Sequence, residues 1–157
     1  MKCYIIERIK NMKKNIFIII TIVLIIVAII GYKFYNYKQR IMRAEQNNKT
    51  YNSFYEQPVL GTDLATLINK AIDNNEKNSV KKDEKGIYLN NEENSINIEV
   101  KFLELDKIIS MESINKQDVV QFVENFGTMT FKCTKIEYHE KTKNVKYMYF
   151  EQILSTY

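Results

Sequence analysis

"MKKNIFIIITIVLIIVAIIGYKFY", Met12–Tyr35, divides this chain into a part made for lipid and a part made for water. From Ile16 to Ile30, thirteen of fifteen residues are Ile, Val, Leu or Phe, the others being Thr21 and Ala28. No charge interrupts the run. Each such aliphatic favours the bilayer centre by about 0.3–0.6 kcal/mol, so the run as a whole favours lipid by several kcal/mol. A spanning helix needs about 17–25 residues, and Gly31, Tyr32, Phe34 and Tyr35 bring the run to that length. Residues 15–35 are therefore read as a transmembrane anchor, with Ile16, Ile20, Leu24, Ala28 and Ile30 in the hydrocarbon. Lys13, Lys14, Tyr32, Lys33 and Tyr35 stand where headgroups lie, the lysines snorkelling and the tyrosines forming an aromatic belt. A buried core helix is the rival reading, but a helix apolar on every face needs a large core around it.

The anchor is expected to be kept. Signal peptidase needs small side chains after the apolar run, and this run ends in "AIIGYKFYNY". Cys3 lies ahead of the run, on the wrong side for a lipoprotein. Residues 1–14 form a short basic tail. "ERIKN" within it fits a translated ribosome-binding region, since Glu-Arg can be encoded by a purine-rich run, and the expectation is that translation begins at Met12. Lys and Arg nearly balance on the two flanks. A short basic tail, an apolar run and a long polar domain together favour a signal anchor, N-terminus cytoplasmic and domain outside.

Charge follows the same division. The net charge of +4 conceals +8 over residues 1–43 and −4 over residues 44–157, where there is no Arg. The basic part suits an anionic membrane surface. The acidic part has no basic stripe, which speaks against nucleic acid as a partner.

Beyond the anchor, residues 36–57 read as a helical stalk ending before Pro58. Phe34, Tyr37, Ile41, Ala44, Tyr51 and Tyr55 recur at roughly helical spacing with a gap at Asn48, giving a weak stripe for the domain, for another stalk, or for neither. Residues 58–157 form the soluble domain. "GTDLATLINKAIDNNE" is a core-packing helix, with Thr62 as N-cap and Leu64, Leu67, Ile68, Ala71 and Ile72 on one face. A short strand at Ser79–Lys82, a "DEKG" turn with Gly86 at positive φ, and a partner strand at Ile87–Leu89 follow. "INIEVKF" alternates without fault, with Ile96, Ile98, Val100 and Phe102 inward. "NKQDVVQFVENFG" is a second helix, capped by Asn115 with Asp118 three residues on and ended by Gly127, whose apolar side is Val119, Val120, Phe122, Val123 and Phe126. A hairpin, Thr128–Tyr138 and Val145–Ile153, closes the chain, with a bulge near Thr134 where the apolar phase slips. The expected class is α+β: anchor, stalk, then α-β-β-β-α-β-β with a mainly antiparallel sheet and two helices over one face.

Catalytic and cofactor signals are weak throughout. His139, the single histidine, sits in the turn "EYHEKTKN" between Glu137 and Glu140 with no second His or Cys pattern to complete a metal site. The pairs Glu92/Glu93 and Glu104/Asp106 read as solvated loop charges. "GTD" could offer helix amides to a phosphate, but lacks a Gly-rich loop or closing Lys. Cys133 shares a strand face with Met129 and Phe131, so burial is expected. Thr21, Ala28 and Gly31 could bring two anchors into close contact. Tyr138, Tyr147 and Tyr149 could form an exposed aromatic patch for a partner.

"VLGTDLATLINKAIDNNEKN", "NSINIEVKF", "FKCTKIEYHEKT" and "KYMYFEQI" resemble an uncharacterised family of short membrane-anchored proteins of low-GC bacteria, over Val59 to Ile153. The resemblance implies that the α+β domain is a genuine unit; it brings no activity, cofactor or site residue. Prepilins keep a Gly before the apolar run and a Glu five residues into it; Asn15 and Ile20 stand there instead. The reading that follows is a single-pass envelope protein presenting a non-catalytic interaction domain to another envelope protein or to itself. The alternative is an envelope ligand sensor or an enzyme with an unrecognised site.

Overall fold

A computed structural model describes the backbone at residues 2–103, 107–116 and 119–154, with side chains from residue 12 onward. Glu104, Asp106 and Asp118, and the side chain of Cys3, lie outside the described residues. The chain forms two compact units, Met1–Arg40 and Ile41–Tyr157.

The first unit is helix. α1 (Lys2–Asn52) carries the apolar run, the one described helix long and apolar enough to cross a membrane, with mean hydropathy 2.9 over its most apolar stretch and none of that stretch buried. A long aliphatic run without Pro sustains helix, because every backbone amide finds its carbonyl one turn back. Thr21, the hydroxyl in the run, donates to the Phe17 carbonyl at 2.9 Å, so no unsatisfied donor faces outward.

The second unit is a helix-covered mixed sheet. After the end of α1 come β1 (Pro58–Leu60), α2 (Gly61–Lys77), β2 (Asn97–Lys101) and β3 (Ile108–Ser110). They are followed by α3 (Met111–Lys116), α4 (Val119–Phe126), β4 (Thr130–Tyr138) and β5 (Val145–Ile153). The strand order is β1-β4-β5-β2-β3. Three of the four pairings are antiparallel; β2 and β5 run parallel, Ile98 opposite Met148 and Val100 opposite Phe150. The α+β class holds, and the sheet is mixed rather than wholly antiparallel. Alternation states which face a residue takes but nothing about strand direction, and β5 enters the centre of the sheet after α3, α4 and β4 have reversed the chain.

The inner face carries Ile98, Val100, Phe131, Cys133, Met148 and Phe150, each at most 1% exposed, under Leu64, Leu67, Ile68 and Ala71 of α2. Phe102, Phe122, Phe126 and Phe131 close one end, the Phe102 and Phe126 rings 4.6 Å apart. The expected bulge is present: pairing of β4 with β5 shifts between Cys133 and Lys135, leaving Thr134 unopposed and exposed.

Several elements differ from expectation. Residues 79–89 form a turn with one bridge, Lys82 to Tyr88, instead of two strands. Leu89 N–H donates to Lys81 O and Asp83 N–H to Ile87 O, both at 2.8 Å, and the Asp83 carboxylate accepts the Lys85 and Ile87 amides at 2.9 and 2.8 Å. Gly86 has the expected positive φ, 80°. The second helix is two: Asn115 lies inside α3 rather than capping α4, and Val120 is exposed. α3 starts directly from β3, where the Ser110 hydroxyl accepts the Ser113 amide at 3.4 Å. β1 and β3 are short edge strands, and Pro58 at the start of β1 is where a missing amide does least harm.

Thr62 is not the cap of α2. The N-cap position is Leu60, two residues earlier, and the helix begins at Gly61 with no side-chain cap. Gly61 donates to the Met129 carbonyl at 2.9 Å and Thr62 to Gly127 at 3.2 Å, so the first amides of α2 are satisfied by the turn after α4. That contact requires glycine: a Cβ on Gly61 would lie 2.0 Å from the Phe126 carbonyl oxygen.

The end of α1 belongs to the second unit and is anchored there. Ala44, Asn48 and Tyr51, at helical spacing, are 2%, 5% and 5% exposed. Asn48, the polar gap in the stripe, is the anchor itself: its amide donates to Lys143 O at 2.7 Å and accepts the Val145 amide at 2.8 Å.

Candidate functional site

The expected membrane residues all lie open on α1. Ile16, Ile20, Leu24 and Ile30 are 52–63% exposed, and Ala28 is exposed with them, as are Lys13, Lys14, Tyr32, Lys33 and Tyr35.

The three candidate partner tyrosines divide. Tyr147 and Tyr149 share the outer face of β5. Tyr147 donates to Glu99 Oε2 at 2.6 Å and lies 5.6 Å from the Lys135 ammonium; burial, then the Glu99 bond, push its hydroxyl well above the usual tyrosine range. Around them Lys132 and Lys101 oppose Glu151, and Lys135 pairs with Glu137 at 2.7 Å. Tyr147, Glu99, Lys135 and Glu137 are thus partnered within this face. Tyr138 is elsewhere in function: its hydroxyl donates to Asn52 Oδ1 at 2.9 Å, at the end of α1.

His139 corrects the reading of an exposed turn. It is 2% exposed, and its Nε2–H donates to the Ser95 carbonyl at 2.8 Å, which fixes the neutral tautomer. Burial pushes the imidazole below its ordinary pKa, against that hydrogen bond, and Lys146 adds to the lowering. Thr142 donates to Glu93 O at 2.6 Å and Lys141 pairs with Glu92, so the turn 139–144 is stitched to the loop 91–96. The histidine is a fastener. Cys133 is buried as expected, and burial raises its thiol pKa, leaving little thiolate. Among the described residues no three of His, Cys, Asp and Glu come together as metal ligands would.

What the fold assembles, and the sequence reading did not anticipate, is a polar cleft of roughly 440 Å³ between the end of α1 and α2. Lys70, Asp73, Asn74, Lys77 and Asn78 form the α2 wall, spaced at i, i+3, i+4, i+7 and i+8 on the face turned from the core. Gln46, Asn47 and Thr50 form the α1 wall, and Asn94 and Asn144 the loop end. Ile96 and Val145 back the floor, both buried. The walls are cross-braced. Lys70 donates to the Thr50 hydroxyl at 2.7 Å, Asn74 to Asn94 O at 3.0 Å, and Asn47 to Asn144 Oδ1 at 3.4 Å. Tyr51, buried behind Lys70, has its hydroxyl pushed up to about 12 by burial and by the charge of Asp73.

No protein-family model, curated protein or solved structure matches the chain. The site is therefore judged on its geometry alone. The signal for the cleft was present as the abundance of asparagine, which reads as genome composition until the fold gathers seven carboxamides in one place.

Proposed function

We propose that this chain is a single-pass membrane-anchored protein that presents a small, non-catalytic interaction domain at the cell envelope. The N-terminus is cytoplasmic, the helix from residue 15 to 35 lies in the bilayer, and the α+β domain faces outward toward another envelope protein or a second copy. One observation carries this reading: an uninterrupted apolar helix whose side chains are at least 46% exposed at every large residue from Ile16 to Ile30. Such a surface in water exceeds what soluble proteins tolerate, whereas in hydrocarbon it is the ground state. The bacterial resemblance noted above supports the setting.

Alkaline extraction of membranes tests the anchor: the full chain is expected in the pellet and released only by detergent. Recovery in the soluble fraction refutes it. Orientation is tested by Lys81→Cys, an exposed position on the 79–89 turn. A membrane-impermeant maleimide is expected to label it in intact cells, and labelling only after lysis reverses the topology.

The ligand-sensor reading is favoured by a separate observation, the cleft. Its open, polar, pre-braced form suits reversible binding of a small molecule.

A further inference from the structure

We propose that the cleft between α1 and α2 is a binding site for a neutral saccharide. The proposal names the ligand class for the interaction domain and rests on the anchor reading only for where that ligand is met.

Size is the first argument. Roughly 440 Å³ falls inside the range of about 300–1,000 Å³ typical of small-molecule sites. The lining is the second. Such sites are ordinarily apolar, but here the apolar side chains, Ile96 and Val145, are 4% and 1% exposed. Polar groups make up slightly more than half of the open lining, so an oily ligand would leave many of them unpaired.

What remains is carboxamide. Each Asn and Gln side chain carries a donor and an acceptor in one plane, and several are bonded within the protein. The Gln46 amide, Asn47 Oδ1, Asn78 Oδ1 and Asn94 Nδ2 are the ends without a partner among the described residues, a mixed set of donors and acceptors that complements vicinal hydroxyls. Asp73 adds a strong acceptor. Its carboxylate and the Lys77 ammonium have no hydrogen-bond or ion-pair partner among the described residues, so both are free for a ligand. The third argument is charge. Asp73 stands between Lys70 and Lys77, three residues after one and four before the other, so a multiply charged anion would meet a carboxylate at the centre of its site. A polyhydroxylated neutral molecule meets only hydrogen-bonding groups.

Preorganisation is the fourth. Asn48 is locked to Lys143 and Val145, and Asn74 to Asn94, before any ligand arrives. The bonded amides need no further ordering on binding, which is left to exposed side chains such as Lys77.

The test uses the isotope-labelled full-length chain in micelles whose headgroups carry no sugar. It is titrated separately with maltotriose and triacetylchitotriose, and with dialanine and inorganic phosphate as competing chemistries. At least one saccharide is expected to move the side-chain amide signals of Asn47, Asn74 and Asn78 saturably. Asp73→Ala and Lys77→Ala, both exposed positions, are expected to weaken that binding about tenfold or more. Lys132→Ala, on the outer sheet face, is expected to leave it unchanged. An unaltered Val100 amide signal, from the sheet interior away from the cleft, verifies the fold of each variant. Silence with both sugars overturns the proposal, as does response to dialanine or phosphate alone, or saccharide binding indifferent to Asp73→Ala. Alkaline extraction reads the anchor separately, so the two readings fail independently.

Discussion

Asn75 offers the sharpest test of how this domain is held. It lies on α2, is 0% exposed, and meets the backbone of Ile96 at the entrance to β2 with both ends of its amide. Nδ2 donates to Ile96 O at 2.7 Å and Oδ1 accepts the Ile96 N–H at 2.8 Å. The side chain thus does for Ile96 what a neighbouring strand would do. Asn75→Leu removes both bonds and leaves a buried N–H and a buried C=O with no partner. Each orphan costs about 1–3 kcal/mol, and the added apolar burial returns about 1–2 kcal/mol. At the middle of both ranges the net loss is about 2.5 kcal/mol, a large share of the roughly 5–15 kcal/mol a domain has. At about 4–8 °C per kcal/mol for small domains, the midpoint should fall by about 10 °C or more.

Asn75→Asp distinguishes hydrogen bonding from packing. The carboxylate still accepts the Ile96 N–H but sets an anion against the Ile96 carbonyl; the protonated acid can donate to it. The folded pKa of this aspartate is then raised above its unfolded value near 3.9. Its stability is fully present below that unfolded value and is lost as pH rises through the folded one. The variant should therefore gain stability relative to the parent on acidification. Thermal unfolding of the full chain in micelles, followed by near-ultraviolet tyrosine circular dichroism, reads both variants. A leucine variant within about 0.5 kcal/mol of the parent, the scatter of neutral surface changes, would refute the reasoning. So would an aspartate variant with no pH trend of its own.

Three further outcomes follow from the same structure. Gly61→Ala should destabilise the domain by about 1–3 kcal/mol or more, because its new methyl would sit 2.0 Å from backbone that cannot turn aside; the same melts check it. The lowered pKa of His139 means that its contribution is complete above the unfolded value near 6.5 and is lost as pH falls through the folded value. A melting series should accordingly show stability declining below about pH 6.5, ahead of the carboxylates, and His139→Gln should flatten that part of the curve. Ile20→Arg with Leu24→Arg places two cations at the centre of the apolar run, at about 2.5–3.5 kcal/mol each by insertion measurements. The double variant should leave the alkaline-extracted pellet, and its retention there would argue against a spanning helix.

The local elements of this protein were legible because their causes are local. Thirteen aliphatics in fifteen residues make an apolar helix whatever surrounds them. Strict alternation from Ile96 to Phe102 sets one face against a core, and β5 was read to its ends because a run rich in Tyr, Val and Phe follows a polar turn. The bulge at Thr134 was visible as a slip in the apolar phase of β4 between Cys133 and Ile136. Where the reading failed, a distant group had replaced a local signal. No periodicity marks α2 as capped by the turn after α4, or 79–89 as tied to the distant carboxylate of Glu112. His139 looked like a surface residue because nothing beside it in sequence is its partner; Ser95, 44 positions away, is.

Sequence alone determined the apolar helix, the α+β class, the buried Cys133 and the facing of β2, since side-chain pattern encodes which side of an element meets water; the short edge strands β1 and β3 were not read from it. Tertiary structure alone decided that β5 runs parallel to β2, that Asn48 reaches Lys143 and Val145 across some ninety-five residues, and that scattered asparagines meet in one cleft. Strand direction and convergence depend on the path of the intervening chain, and that path is chosen by the whole core at once.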